Sequence, residues 1–376
     1  MSELASYSIQ ATILAVIALI AVSRSKKTDL YQVVLISIWL VGVIAIYARY
    51  GEGQVLFYSN DQLFHKQVIE VYLPVEGFRL SAFIPLRYLL LVPVYLGSLT
   101  GINALLLNKF VQLLALIFLY RRSKQFLISK RLNIRFWHLP LITGPILIFM
   151  SMLSLRDVIL AFFAIGFITT QNVTLKTINV LGAFLLRPHL GAALLFGYLI
   201  SEIFFNHQSR LPVARTALAS LISYSLGTIS YWFGAVIQQG VSLTSPNSVF
   251  TQFKFSQLAA NLLGLQFLGL NDPDQALVAS TTTSLLLSRL IIFDTILIPI
   301  LFLAAMFRHP DYLTKQKMLT FQAFLFFYGV VSQTTWNSTR QNIPFLACMG
   351  VIAVADIEYF RNLKRNRRPQ LLSTSN

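Results

Sequence analysis

Long apolar runs recur along the chain, at residues 5–23, 30–48, 102–120, 213–237, 284–306, 318–333 and 343–359. A helix needs about 20 mostly apolar residues to cross a bilayer, where lipid offers the backbone no hydrogen-bond partners. Shorter runs at 138–153, 157–171, 177–187 and 189–204 are separated by polar residues. The pattern predicts an all-α, polytopic transmembrane helical protein of about 10–12 membrane elements, some re-entrant or broken. Hydrophobic residues make up 56% and charged residues only 12%. A water-soluble chain carries about 25% charge, so too little is present here to cover a soluble surface. With no long linker or repeat, residues 1–376 read as a single transmembrane domain. No basic segment precedes 5–23, so that run reads as a span rather than a cleaved leader.

Lys and Arg number 30 against 14 Asp and Glu, a formal net charge of +16. Most of the basic residues fall in 24–29, 121–135, 172–178, 207–215, 308–317 and 361–368. The intervening loops hold Arg49, Lys66, Arg79, Arg156, Arg187, Lys254 and Arg340. Cytoplasmic loops concentrate Lys and Arg, which predicts an external N-terminus and a cytoplasmic basic tail at 361–376. That bias accounts for most of the excess charge, and no nucleic-acid partner is expected. Cys348, the one cysteine, excludes an internal disulfide and any multi-cysteine metal site.

This topology places loop 49–79 outside and 121–135 inside, which requires an odd number of crossings between them. The segment 80–101 holds Pro85, Arg87 and Pro93. It is therefore expected to enter and return, or to lie along the interface. Two external loops are long, 49–79 and 238–283. Within the second, Leu258, Leu262, Leu265 and Gly269 recur at helical spacing, as in an amphipathic helix on the membrane surface.

Four polar interruptions carry candidate chemistry. Asp61 and His65 lie four apart, on one side of a helix, in YSNDQLFH. Asp61 could act as a general base toward a sugar hydroxyl, with His65 beside it on the substrate; equally, Ser59 and Gln62 form a capping box with an acid in the first turn. Arg156 and Asp157 separate two apolar runs. They could grip a phosphate and assist proton transfer, or simply start a helix. Arg187-Pro188-His189 breaks an apolar segment. An arginine at membrane depth calls for either an anionic substrate or an internal acid, of which Asp157 is one; His189 could bind substrate or satisfy backbone groups at the break. Trp336 and Arg340 precede the last span, suited to stacking on a sugar and clamping a phosphate, or to anchoring at the interface.

The order of these motifs, YSNDQLFH, SLRDVILAFF, LGAFLLRPHLGAALL and STRQNIPFL, resembles that of the EpsG-like and Wzy-like exopolysaccharide and O-antigen polymerases. More loosely it is similar to the multispanning GT-C glycosyltransferases. The resemblance implies transfer or polymerisation of glycans carried on polyprenyl diphosphate at the outer face of a bacterial plasma membrane. Asp61 and Asp157 would be catalytic, and His65, Arg156, Arg187, His189, Trp336 and Arg340 would bind substrate. The implied partners are the lipid-linked oligosaccharide, membrane lipids and other export or assembly proteins. No organic cofactor is implied. A divalent metal occurs in GT-C relatives, but no dense acidic cluster in this sequence calls for one. A transporter or flippase for a lipid-linked or anionic solute is the competing expectation. A non-catalytic assembly subunit is a third.

Overall fold

The structure, a computed structural model, describes residues 2–24, 29–51, 67–76, 84–153, 156–205, 213–239, 282–309, 311–331 and 339–373. Asp61, His65, Trp336 and the amphipathic stretch within 238–283 lie outside them. The described residues form helices and turns with no strand.

The apolar runs become α1 (Glu3–Ser23), α2 (Leu30–Tyr50), α3 (Ile84–Thr100) and α4 (Ala104–Ser129). After a short turn come α5 (Leu139–Thr143), α6 (Pro145–Ser151), α7 (Asp157–Thr169), α8 (Val173–Leu186) and α9 (Pro188–Phe205). The chain closes with α10 (Val213–Gln239), α11 (Thr282–Arg308), α12 (Thr314–Val331) and α13 (Thr339–Ser373). Among the described residues, five stretches are long and apolar enough to cross a membrane: Glu3–Ser23, Leu30–Arg49, Ala104–Ser129, Pro188–Phe205 and Asn342–Arg365. With their apolar outer faces and helical backbone, they make this an all-α polytopic membrane protein.

Polar contacts sort the helix ends into two groups. At one end Lys124 pairs with Asp29, and Tyr120 donates a short hydrogen bond to the same carboxylate. Arg122 Nε donates to Thr169 Oγ1 at 3.3 Å, Lys315 pairs with Glu202, and Arg361 Nη1 lies 3.0 Å from Glu358. The described residues of the segments expected to be cytoplasmic thus gather at a single basic end. Burial raises the Asp29 carboxyl, but Lys124, Tyr120 and the Tyr31 amide outweigh it and hold Asp29 below its ordinary value.

At the opposite end, Tyr7 of α1 stacks on Tyr47 of α2 with ring centroids 3.8 Å apart. Lys109 Nζ of α4 donates to Tyr7 Oη at 2.9 Å, and Asn103 N donates to Gln10 Oε1 at 2.9 Å. Tyr47 of α2 and Asn103 before α4 therefore lie at the same end of the bundle. Of the two expectations for 80–101, a return within the segment is not found, because 84–100 is one helix containing Pro93. Leu90 belongs to a small apolar cluster with Val68, Ile69, Leu73 and Leu105, which ties α3 to the first turn of α4.

α4 continues past the apolar run through Arg121, Arg122 and Lys124 to Ser129. These are good helix formers, and nothing breaks the pattern until Arg131 takes a positive φ of 58°. α7 lies at the centre, its residues from Asp157 to Ala161 buried, packed against α4, α8 and α13. Around it, small residues bring backbones together. A Cβ at Gly227 of α10 would sit 2.0 Å from the Phe326 carbonyl of α12, and one at Gly350 of α13 would sit 2.0 Å from the Leu141 carbonyl.

Candidate functional site

The corner between α6 and α7 and the break between α8 and α9 meet at the end opposite the basic one. α7 begins at Asp157, in its first turn and fully buried. A carboxylate there is favoured by the helix dipole. α8 ends at Leu186. Arg187 follows in extended conformation, and Pro188 occupies the first position of α9, where a missing amide hydrogen costs nothing. The Arg187 carbonyl accepts from the amides of Leu190 at 2.9 Å and Gly191 at 3.2 Å, so the break is hydrogen-bonded rather than frayed.

The two motifs are joined by two contacts. Arg156 Nη1 donates to the Leu186 carbonyl at 2.7 Å, satisfying a group that the end of α8 leaves open. Arg187 Nη2 lies 3.5 Å from Asp157 Oδ1, with the Arg187 side chain 12% exposed and Asp157 at 0%. That is longer than the roughly 2.7–2.9 Å of a tight charge-assisted hydrogen bond. The sequence left Arg187 between an internal acid and an anionic substrate; Asp157 is beside it. His189, in the first turn of α9, is exposed. Arg340 sits by its backbone in the first turn of α13, at this same end, and α13 packs along α7. Four of the candidate residues are thus placed together or at one end, with Arg340 as a fifth by its backbone alone.

Depth follows from helix length. α7 has 13 residues, about 20 Å at 1.5 Å per residue, against about 30 Å of hydrocarbon. α7 is thus shorter than a full span, and at its start Asp157 is fully buried with the Arg187 side chain beside it 12% exposed.

Sequence reasoning missed a polar pair on α4, the helix that packs against both α6 and α7. Asn108 and Gln112 are 1% and 0% exposed, and none of their four side-chain polar atoms has a hydrogen-bond partner. They are four residues apart, on one face of the helix. One and two turns beyond Gln112, Leu116 and Leu119 on that face belong to the core around α7. The signal was present in LLLNKFVQLL, where polar residues recur at helical spacing inside an apolar run.

A second missed feature is Asp294 of α11, 2% exposed. Its Oδ2 accepts from the Ile146 amide at 2.9 Å, at the break between α5 and α6 where Gly144 adopts φ 57°. The other buried acids also have partners away from Arg187. Asp356 Oδ1 lies 3.1 Å from Lys317 Nζ, and Glu358 Oε1 lies 3.2 Å from His138 Nε2 and 3.8 Å from Arg135 Nε. Burial lowers the His138 imidazole below its ordinary value, with Arg361 and Arg135 adding to burial and Glu358 opposing it.

Among the described residues no group of three or more His, Cys, Asp and Glu could hold a metal ion. The site as described can bind an anion through guanidinium groups and hold one buried carboxylate beside it. No family model, curated protein or solved structure matches the chain.

Proposed function

We propose that the protein transfers or polymerises glycans carried on polyprenyl diphosphate, acting at the outer face of a bacterial plasma membrane as a polysaccharide-polymerase type of glycosyltransferase. The observation that carries this reading is the meeting of Arg156, Asp157 and Arg187 at the end of the bundle away from the basic one. A lipid-linked diphosphate presents its charge near the membrane boundary at that end. Arginine donors suit a diphosphate leaving group, whose charge grows as the glycosidic bond to it breaks.

The basic end would be cytoplasmic, since Lys and Arg concentrate on that side, which puts the N-terminus outside and the C-terminal tail inside. In the reaction, Arg187 would hold the diphosphate with Arg156 alongside. Asp61, next to His65, would take the proton of the acceptor hydroxyl, with Asp157 orienting Arg187. His189, Trp336 and Arg340 would line the approach. Lipids and other export or assembly proteins would be its partners.

The test supplies purified protein with a polyprenyl-diphosphate oligosaccharide and looks for longer glycans. Elongation that disappears in Arg187→Ala and in Asp61→Asn is the expected result. Elongation intact in both variants defeats the assignment.

A second reading, a flippase for a lipid-linked solute, is favoured by the helix break at Gly144 inside the bundle, since transporters place broken helices along their pathways. Movement of labelled lipid-linked glycan across vesicles without new linkages would select it.

A further inference from the structure

We propose that Asn108 and Gln112 of α4 form a sugar-binding subsite beside the arginines, a subsite that receives the hydroxyl groups of the lipid-linked glycan. This rests on the function proposed above and adds to it a residue set on a different helix.

Neighbouring polar groups of α4 are all partnered. Asn103 Oδ1 accepts from the Leu105 and Leu106 amides at 2.8 and 3.1 Å, Lys109 reaches Tyr7, and Ser123 Oγ donates to the Leu119 carbonyl at 2.9 Å. The two amides alone on this helix are buried with Nδ2, Oδ1, Nε2 and Oε1 all without a hydrogen bond. Burying such groups unpaired is costly, and their pairing within one stripe argues for a shared occupant.

Their depth matches that of the arginines. Gln112 is ten residues before Arg122, and Asp157 is twelve before Thr169, the two residues that touch at the basic end. Both helices run in the same direction from there, so the two sites lie within about one turn of each other in depth. α4 packs against both α6 and α7, and Leu116 and Leu119, on the same face of α4 as Asn108 and Gln112, belong to the core around α7, so this face is turned toward α7.

The chemistry separates sugar from phosphate. A primary amide offers two donors and an acceptor, matching hydroxyls that both donate and accept. A phosphate oxygen only accepts, which suits Arg156 and Arg187 but leaves each amide oxygen unanswered. Both amides are covered in this structure, so α4 and α7 must part, or the side chains turn, as the sugar enters.

The test measures binding by wild type, Asn108→Leu and Gln112→Met to polyprenyl diphosphate with and without an attached oligosaccharide, together with ligand-free melting. Apolar side chains of similar size remove the unpaired amides, so the ligand-free variants should melt no lower than wild type. Affinity for the glycan-bearing lipid should fall about tenfold per substitution, while the sugar-free lipid binds as before. Asn108→Ala and Gln112→Ala give the same readout should the larger side chains perturb packing. Wild-type affinity for the glycan-bearing lipid in all variants overturns the subsite but leaves the transferase reading standing. An equal loss for both lipids also overturns the sugar assignment. A wild-type protein that binds neither lipid overturns both proposals.

Discussion

Asp294 Oδ2 accepts a hydrogen bond from the Ile146 amide at 2.9 Å, joining α11 to the broken helix 139–151 across 148 positions of sequence. The break needs both partners. Gly144 supplies a left-handed φ of 57°, and a Cβ there would lie 2.8 Å from the same carboxylate oxygen.

Asp294→Leu should therefore lose about 1–3 kcal/mol of stability, because the Ile146 amide is left buried without an acceptor. Asp294→Asn keeps an acceptor oxygen and should lose less. Gly144→Ala should cost a comparable amount, and combining it with Asp294→Leu should cost less than the sum, since both act on one contact. Thermal unfolding in detergent measures all four; additive losses would show that the two positions are uncoupled.

Arg156 and Arg187 should separate by phenotype. Arg156→Ala removes the donor to the Leu186 carbonyl and should cost about 1–2 kcal/mol of stability. Arg187→Ala removes the guanidinium 3.5 Å from the buried Asp157 and should cost up to about 3–5 kcal/mol. Pairing it with Asp157→Asn should restore much of that stability without restoring turnover. Melting curves alongside the elongation assay distinguish the two outcomes.

The ion pair of Lys317 and Asp356 is almost wholly buried, and Lys317 Nζ also donates to the carbonyls of Ala305 at 2.6 Å and His309 at 2.8 Å. Lys317→Met alone should destabilise by about 3–5 kcal/mol, because Asp356 loses its counter-charge. Lys317→Met with Asp356→Leu should recover to near wild type, read by the melting midpoint.

Asp29 sets an acid limit at the basic end. Its carboxyl lies below the ordinary value of 3.8, so it contributes stability that is present above that value and is lost as the pH falls through the lower folded one. Wild type should thus lose stability relative to Asp29→Asn on acidification below about pH 4. At neutral pH the variant should be weaker by about 1 kcal/mol, since Lys124 and Tyr120 lose a charged acceptor. A difference that does not change with pH would remove Asp29 from the account.

Much of the helical layout was legible because a span must be apolar over its whole length. The runs 157–171, 177–187 and 189–204 became α7, α8 and α9 within a few residues. Arg156, Asp157 and Arg187 stood out as charges between such runs, and alternating helix direction brought those interruptions to one end. Asp294 was not legible as special, and the spacing of Asn108 and Gln112 marked a shared face without showing that both lack partners. Each sits inside a long apolar run, where a single polar residue changes the average little. What sets them apart, a partner far along the chain or none at all, is a property of packing. The extension of α4 past residue 120 was hidden for the opposite reason, since Arg and Lys end a hydrophobic run without ending a helix. Asp61, His65 and Trp336, singled out by local spacing, lie outside the described residues.

The pairing of Lys317 with Asp356 also bears on how the chain is made. α12 carries the lysine and emerges from the ribosome before α13, which carries the aspartate. An unneutralised lysine at the centre of a helix raises the cost of entering lipid by about 2.5–3.5 kcal/mol on translocon scales, and less toward its ends. Lys317 lies in the first turn of α12, at the basic end, so α12 can enter the bilayer with its lysine still at the aqueous boundary, and only the arrival of α13 buries it against Asp356. A ribosome stalled between them would hold a chain whose Lys317 has no counter-charge.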